Sequence, residues 1–413
     1  MKSFLHLKAP EEARNEYFSI FDSFRLSTEK IKSDFGLDRI LAKDLFAPES
    51  LPAFNRSTVD GYAVRSKDTF GASESLPAFF KVIGEVNMGK PTPLEINSGE
   101  AAIIHTGGML PKNADAVVMI ENTQTTLIGE IEVGRAVGHF ENMILAGEDV
   151  QSGSLIFERG WKLRPGDIGA LMSVGMIEIE VYRPLNIAII SSGDEVVDPH
   201  FEIHQGQVRD VNSYTLSALV QKYGGHSHLY GISPDNRTIF SKIARQAFQE
   251  NDMVIITAGS SASVRDLTAE VIQGLGEPGV LVHGVNVRPG KPTILAVCDG
   301  KPVIGLPGNP VSAYVIANLF VAPLIRKLSG QTNFFWEQKI NGILTVNLAS
   351  SSGREDWVPV NIIRDEHSKN CLIEPIFYKS NLIFSIIKAE GFIRIPPDIT
   401  GYSANSEVEV VIF

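Results

Sequence analysis

Cysteine is almost missing from this 413-residue chain, which holds only Cys298 and Cys371. A disulfide framework and a cysteine-built metal cage are both excluded, and so little cysteine fits a reducing compartment. Long hydrophobic runs are missing too. The longest, Val311 to Ile325, is broken by Asn318 and Pro323, and it falls short of the roughly 20 residues that span a bilayer. The stretch from Met1 to Arg14 is charged and lacks the apolar centre of a secretory leader. Positive charge is in short supply, with 37 Lys and Arg against 48 Asp and Glu for a net charge of −11. An extended nucleic-acid or anionic-membrane surface is therefore not expected. A small anionic substrate stays compatible, provided that backbone N–H groups and a few cations outweigh the overall field locally. No internal repeat or low-complexity tract is visible.

What is present is ordinary globular material, 44% hydrophobic and 21% charged. The length suggests roughly two to four domains. The expectation is a cytoplasmic, multidomain protein with several cores.

The texture of the chain changes along its length. The first 45 or so residues read as helical. Tyr17, Phe18, Phe21 and Phe24 form one stripe, and Leu37, Ile40, Leu41 and Leu45 a second. From about Pro48, short apolar runs alternate with turn residues: Phe79–Ile83, Ala101–His105, Ala116–Ile120 and Thr126–Val133. These suggest a β-rich inserted domain. Asp167–Val174 returns to a helical pattern that would pack with the N-terminal helices.

Tyr182 to about Gly330 has a different rhythm. Strands are expected at Asn186–Ile190, Leu229–Ile232, Met253–Thr257, Thr293–Val297 and Val303–Leu306. Helices are expected at Ser213–Tyr223, from Pro234 to Phe248, through Ile272, and from Pro310 to about Leu328. Strands alternating with helices of this length point to a parallel, doubly wound α/β sheet. The remainder returns to short strands, with Ser406–Phe413 alternating at period two, and reads as a small β-barrel or sandwich. The boundaries expected are 1–46 plus 141–181 for a helical part, 47–140 for the insert, 182–330 for the α/β domain and 331–413 for the C-terminal β domain.

In an open α/β sheet, ligands bind beyond the carboxyl ends of the strands. Three loops there are rich in small and polar residues: Ser191-Ser192-Gly193-Asp194-Glu195, Thr257-Ala258-Gly259-Ser260-Ser261-Ala262-Ser263, and Leu306-Pro307-Gly308-Asn309-Pro310. The Gly259 loop would offer backbone N–H groups and hydroxyls at a helix start, where an oxyanion is favoured. It matches neither a Walker loop nor G-x-G-x-x-G. It also reads as a plain helix start, with Ser263 as N-cap and Asp266 in the place of a capping-box Glu. The residues alone leave both readings open. Asn309-Pro310 and Ser233-Pro234-Asp235 likewise look like capped helix starts. His226 and His228 share a strand face without a third ligand, which is a structural pattern more than a metal site. Arg288-Pro289-Gly290-Lys291-Pro292 sets two cations around a Pro-Gly turn and reads as an anion clamp.

Six stretches, in one order, carry a resemblance: Asn55–Ala63 (NRSTVDGYA), Thr106–Glu121 (TGGMLPKNADAVVMIE), Glu148–Gly153 (EDVQSG), Ser191–Glu195 (SSGDE), Val287–Pro292 (VRPGKP) and Leu306–Ala313 (LPGNPVSA). Together they resemble the MoeA family of molybdopterin molybdenumtransferases, to which the E domain of gephyrin belongs, over nearly the whole chain. The resemblance implies an elongated homodimer with a molybdopterin-binding α/β domain. Its active site would lie between that domain of one subunit and N-terminal parts of the other. It implies insertion of molybdate, or tungstate, into the dithiolene of adenylated molybdopterin with release of AMP, assisted by Mg2+. An adenylating enzyme and apo-molybdoenzymes would be its partners, with no nucleic acid and no membrane.

Carried over by motif, Asp60, Glu195, Asp235 and Asp266 are the implied catalytic carboxylates, and Asp60, Glu195 and Asp266 the implied metal ligands. A carboxylate-held metal would neutralise charge at a pyrophosphate. Implied substrate contacts are Ser191, Ser192, Gly193, Asp194, Gly259, Ser260, Ser261, Arg288, Lys291, Pro307, Gly308, Asn309, Pro310 and Arg354. Cations and N–H donors suit molybdate and phosphate.

The sequence departs from the family pattern in places. The family loop GGVSxGxxD becomes Ala258-Gly259-Ser260-Ser261-Ala262-Ser263-Val264-Arg265-Asp266. Ser192 replaces a usual Thr, Arg288 a common Lys, and Lys379-Ser380-Asn381 a late Gly-Ser pair. Two other readings follow from the same fold, a cofactor carrier without efficient hydrolysis and a molybdopterin adenylyltransferase. The four carboxylates favour the enzyme over the carrier. The N- and C-terminal domains disfavour the adenylyltransferase.

Overall fold

The computed structural model describes residues 7–127, 129–259, 262–334, 338–364, 371–377 and 379–413. Its centre is a six-stranded sheet covered by helices on both faces. In spatial order the strands are His226–Ser233, Asn186–Ser192, Met253–Ala258, Lys301–Pro307, Ile294–Cys298 and Pro278–His283. The run Asn186–Ser192 shows why both faces must be covered. Ile187 and Ile189 enter one core with Leu216, Leu219 and Val220 of the helix Asn212–Lys222, and with the long helical segment starting at Pro310. Ala188 and Ile190 enter the other core, with Phe240 and Ala244 of the helix Arg237–Glu250 and with Ile272 of the helix Ala262–Gln273. A strand buried on both faces reads as a continuous apolar run, as this one does.

The sheet is not wholly parallel. Four strands are parallel, but Ile294–Cys298 runs antiparallel to both of its neighbours. The reason is local. Asp299-Gly300 joins it to Lys301–Pro307, and both residues have positive φ, 46° and 80°. Asp-Gly at a two-residue connection is the chemistry of a tight hairpin, which returns the chain antiparallel.

The segment Pro310–Leu328 is two α-helical stretches, Pro310–Ile316 and Ala322–Leu328, joined by a π-helical Ala317–Val321. It is the one helix among the described residues long and apolar enough to cross a membrane. Its place is inside the fold, with 83% of the apolar window buried.

Three other expectations change. The stripe Leu37, Ile40, Leu41 and Leu45 is not a helix. After the helix Pro10–Ser19, the chain forms a strand, Thr28–Lys32, antiparallel to Glu178–Tyr182. Asp38 then takes φ +62°, which no helix tolerates. Ile40 and Leu41 make single bridges to Lys162 and Val181 and enter different cores. The expected strand Thr126–Val133 is a hairpin of Thr123–Leu127 with Glu130–Val133. The helix expected from Pro234 begins at Arg237, because Asn236 caps it by accepting from the Thr238 and Ile239 amides at 3.0 and 3.2 Å.

The helix Pro165–Ser173 buries Leu171 in one core with Leu41 and Leu45 of the N-terminal segment and Val181 of the strand Glu178–Tyr182. A six-stranded sheet spans the insert, in the order 116–119, 61–64, 100–104, 78–85, 130–133, 123–127. At the C-terminus, Gln338–Leu344, Glu355–Ile363, Cys371–Pro375, Gly391–Ile395 and Glu407–Ile412 close a five-stranded barrel. Val287–Arg288, from the α/β part, adds to this barrel by parallel pairing with Glu355–Asp356.

Candidate active-site cleft

A cleft of about 420 Å³ opens at the carboxyl ends of the strands 186–192, 253–258 and 301–307. Its floor is hydroxyl-rich. Ser191 Oγ lies 2.9 Å from Ser213 Oγ and 3.0 Å from Thr257 Oγ1, all within the buried sheet end. Ser192 Oγ donates to Asp235 Oδ1 at 3.0 Å, and the Asp235 amide donates to Asp194 Oδ1 at the same distance. The first loop is thereby tied to the end of the neighbouring strand.

The opposite wall depends on one close approach. A Cβ on Gly308 would stand 2.7 Å from the Ala258 carbonyl oxygen, so only glycine lets the 258–259 and 307–309 turns touch. Asn212 Nδ2 donates to the Gly308 carbonyl at 2.8 Å and fixes that turn to the start of its helix. Asp210, buried, accepts from the Ser213 amide at 3.0 Å.

Asn309 occupies the N-cap position before Pro310, as expected, but its side chain does not cap. It donates to Ser380 Oγ at 3.0 Å, and the Val311 amide donates to the Ser380 carbonyl at 3.1 Å. The helix start is thus satisfied from the C-terminal domain, whose Asn381 and Ile383 also line the cleft.

Of the residues expected at the site, Ser191, Ser192, Glu195, Gly259, Gly308, Asn309 and Pro310 line this cleft. Gly193 and Asp194 belong to the first loop without lining the cleft, Asp235 is bonded to that loop from the end of the strand His226–Ser233, and Pro307 ends the strand that pairs it with Ala258. Asp266 is exposed on the helix Ala262–Gln273. That helix already contains Ser263, so Ser263 is not its N-cap. Ser260 and Ser261 lie outside the described residues.

The expected anion clamp is arranged differently. Arg288 Nη1 reaches the buried Asp356 Oδ2 at 3.4 Å, and Arg354 Nε lies 3.8 Å from the other oxygen of the same carboxylate. Ser350 Oγ also donates to Asp356. Neither arginine lines the cleft, and Lys291 is exposed in its turn.

Asp60 stands in the insert, 60% exposed at its side chain. Thr106 donates to its Oδ1 through the backbone amide at 2.8 Å and through the hydroxyl at 3.2 Å. These bonds, the amide first and the hydroxyl next, hold its carboxyl below the usual carboxylate range, with His105 adding a smaller pull. Its partners all belong to the insert, and it does not line the cleft of its own chain. Within one chain, then, Asp60, Glu195 and Asp266 do not assemble a metal centre. No group of three or more His, Cys, Asp or Glu suited to a metal occurs among the described residues.

Sequence reading missed Arg209, Asp210, Asn212 and Ile383 as lining residues, while Thr257 stood in an expected loop and Asn381 in the late stretch Lys379-Ser380-Asn381. Asp210, three residues before Ser213, carried a cap signal that could have been read. Nothing local marked Ile383, since a distant domain brings it in.

Three family profiles cover nearly the whole chain. The MoeA N-terminal region (domain I and II) matches residues 9–175, a probable molybdopterin binding domain matches 188–327, and the MoeA C-terminal region (domain IV) matches 341–413. A protein of Methanocaldococcus jannaschii named for molybdopterin biosynthesis is 36% identical over 422 residues, covering 100% of this chain and 99% of that one. The molybdopterin molybdenumtransferase of Haemophilus influenzae is 32% identical, covering 94% and 95%. The crystal structure of a molybdopterin biosynthesis MoeA protein from Pyrococcus horikoshii superposes with a TM-score of 0.82 at 35% identity, covering 98% of this chain and 99% of that one.

Proposed function

The chain belongs to the MoeA family, and from that premise we propose how its cleft performs the molybdopterin molybdenumtransferase reaction of molybdenum cofactor biosynthesis. Adenylated molybdopterin binds across the carboxyl ends of the strands. Molybdate enters its dithiolene with its displaced oxygen leaving as water, and a water molecule attacks the phosphoanhydride bond, so that AMP leaves and the pterin keeps its own phosphate.

The observation that carries this reading is the meeting of three polar loops around one 420 Å³ cleft, with their backbones locked together. The Gly259 and Gly308 turns bring main chain close to a ligand without side chains in the way. Ser191, held by Ser213 and Thr257, keeps the floor polar and fixed. Asp235 orients the Ser192 hydroxyl. Glu195 stands exposed at the rim as a carboxylate facing the bound pyrophosphate. Such an arrangement acts by positioning and by preorganised electrostatics, which is what phosphoanhydride cleavage demands of a protein.

Asp60 completes this set in a homodimer, where the insert of a second chain closes over the cleft. Mg2+ belongs to that assembled state, with Asp60, Glu195 and Asp266 as its carboxylates. Cytoplasmic location, an adenylating enzyme as supplier of substrate and apo-molybdoenzymes as recipients complete the proposal.

The test is AMP release from adenylated molybdopterin by the purified protein, with and without molybdate and Mg2+, alongside its mass in solution. Release that needs molybdate and a dimeric mass support the reading. Tight binding of adenylated molybdopterin without release would overturn it in favour of a carrier.

A further inference from the structure

Glu195 and Arg209 lie on one small flap that sequence motifs did not join. After the strand Asn186–Ser192 the chain makes an excursion before the helix Asn212–Lys222. Within it, Val196–Val197 pairs in parallel with Val208–Arg209. The Val208 amide donates to the Glu195 carbonyl at 2.8 Å, so Glu195, in the turn leading into the first strand, lies beside the start of the second strand, which ends at Arg209. Both line the cleft.

Their charges are opposite, yet among the described residues no ion pair joins them or engages either one. Arg209 is exposed, and among the described residues its one side-chain hydrogen bond is a long 3.4 Å one from Nε to the Pro199 carbonyl. Among the described residues it is the single Lys or Arg that lines the cleft. The other arginines expected at the site, Arg288 and Arg354, are turned to Asp356. Asp210, the second lining carboxylate, is committed to the Ser213 amide. A substrate with a multiply charged phosphoanhydride needs at least one cation in a chain of net charge −11. Guanidinium matches phosphoryl oxygens by paired, parallel hydrogen bonds.

We propose that Arg209 is the phosphate-binding side chain of this cleft, its guanidinium taking the phosphoryl oxygens on the AMP side of the substrate while Glu195 faces them from the neighbouring turn. The proposal rests on the transferase reading above. Arg209 acts in binding and leaves the chemistry to the other groups. Its loss therefore raises KM more than it lowers kcat.

The experiment is calorimetric titration of AMP and of adenosine into the full-length protein, its Arg209→Ala and Arg209→Lys variants, and Lys242→Ala, an exposed cation on the helix Arg237–Glu250 that does not line the cleft. The expected result is at least a tenfold weaker AMP affinity in Arg209→Ala, part recovery in Arg209→Lys, and wild-type affinity in Lys242→Ala. Adenosine binding should be the same in all four proteins, which shows that the variants keep the fold. AMP binding in Arg209→Ala equal to wild type would overturn the proposal and leave the transferase reading standing. A wild-type protein that neither binds AMP nor releases it from adenylated molybdopterin would remove the transferase reading and the proposal together.

Discussion

Thr106 grips Asp60 twice on the same oxygen, with its amide at 2.8 Å and its hydroxyl at 3.2 Å. The carboxylate is exposed but not free, because both donors favour its charged form and fix its direction. Asp60→Ala should abolish AMP release and leave the protein folded, with only a small fall in the melting midpoint from the loss of the Thr106 bonds at an exposed site. Retained activity would confine Asp60 to a structural role in its turn. Thr106→Val removes one of the two donors, so the Asp60 carboxyl should titrate at higher pH, as a carbon-detected NMR titration would show.

Gly308→Ala places a methyl group against the Ala258 carbonyl, where 2.7 Å is available. The two turns must separate, and the Asn212 bond to Gly308 is lost with them. Overpacking of this kind costs about 1–3 kcal/mol, and AMP release should fall along with the unfolding midpoint in urea. A variant as stable and as active as the parent would show that the turns yield without consequence.

The bond between Asn309 and Ser380 should behave as a unit. Asn309→Ala and Ser380→Ala should each cost about 1 kcal/mol, and the double variant little more than either alone. Full additivity in that cycle would mean that the two side chains do not interact in solution.

Asp252 gives the pH prediction. Burial pushes its carboxyl up, but this is outweighed by bonds from Arg183, by the Asn186 amide and by the Arg183 and Lys301 charges, so it lies below the usual value. Arg183 binds it through both terminal nitrogens at 2.7 Å. A carboxyl with a depressed folded pKa stabilises fully above its unfolded pKa of about 3.9, and the contribution disappears as pH falls through the lower folded value. Asp252→Asn should therefore lose about 2 kcal/mol at pH 7. The gap to wild type should narrow as the pH falls below about 4. A gap independent of pH would assign the loss to packing.

Five of the six α/β strands and the three polar loops were legible, because buried strands are written as unbroken apolar runs, while the edge strand Pro278–His283 was not expected. What escaped was set by distant partners. The stripe of Leu37, Ile40, Leu41 and Leu45 has helical spacing, yet Asp38 takes a left-handed conformation, and the bridges that decide the fold come from Lys162 and Val181. The reversal at Asp299-Gly300 was written plainly in two residues, but the alternation of strands with helices masked it. Arg288 and Arg354 showed their charge in the sequence and concealed Asp356, the carboxylate that turns them aside.

Ser380 supplies the cap of the helix that opens at Pro310, and Asn381 and Ile383 complete the cleft wall. A chain leaves the ribosome amino end first and folds in that order, domain by domain. The α/β sheet can therefore form early in synthesis, while its cleft stays unfinished until the last domain has emerged. A nascent or C-terminally truncated chain would carry the strands and loops of the site without its final wall, so competence arrives only with the completed polypeptide.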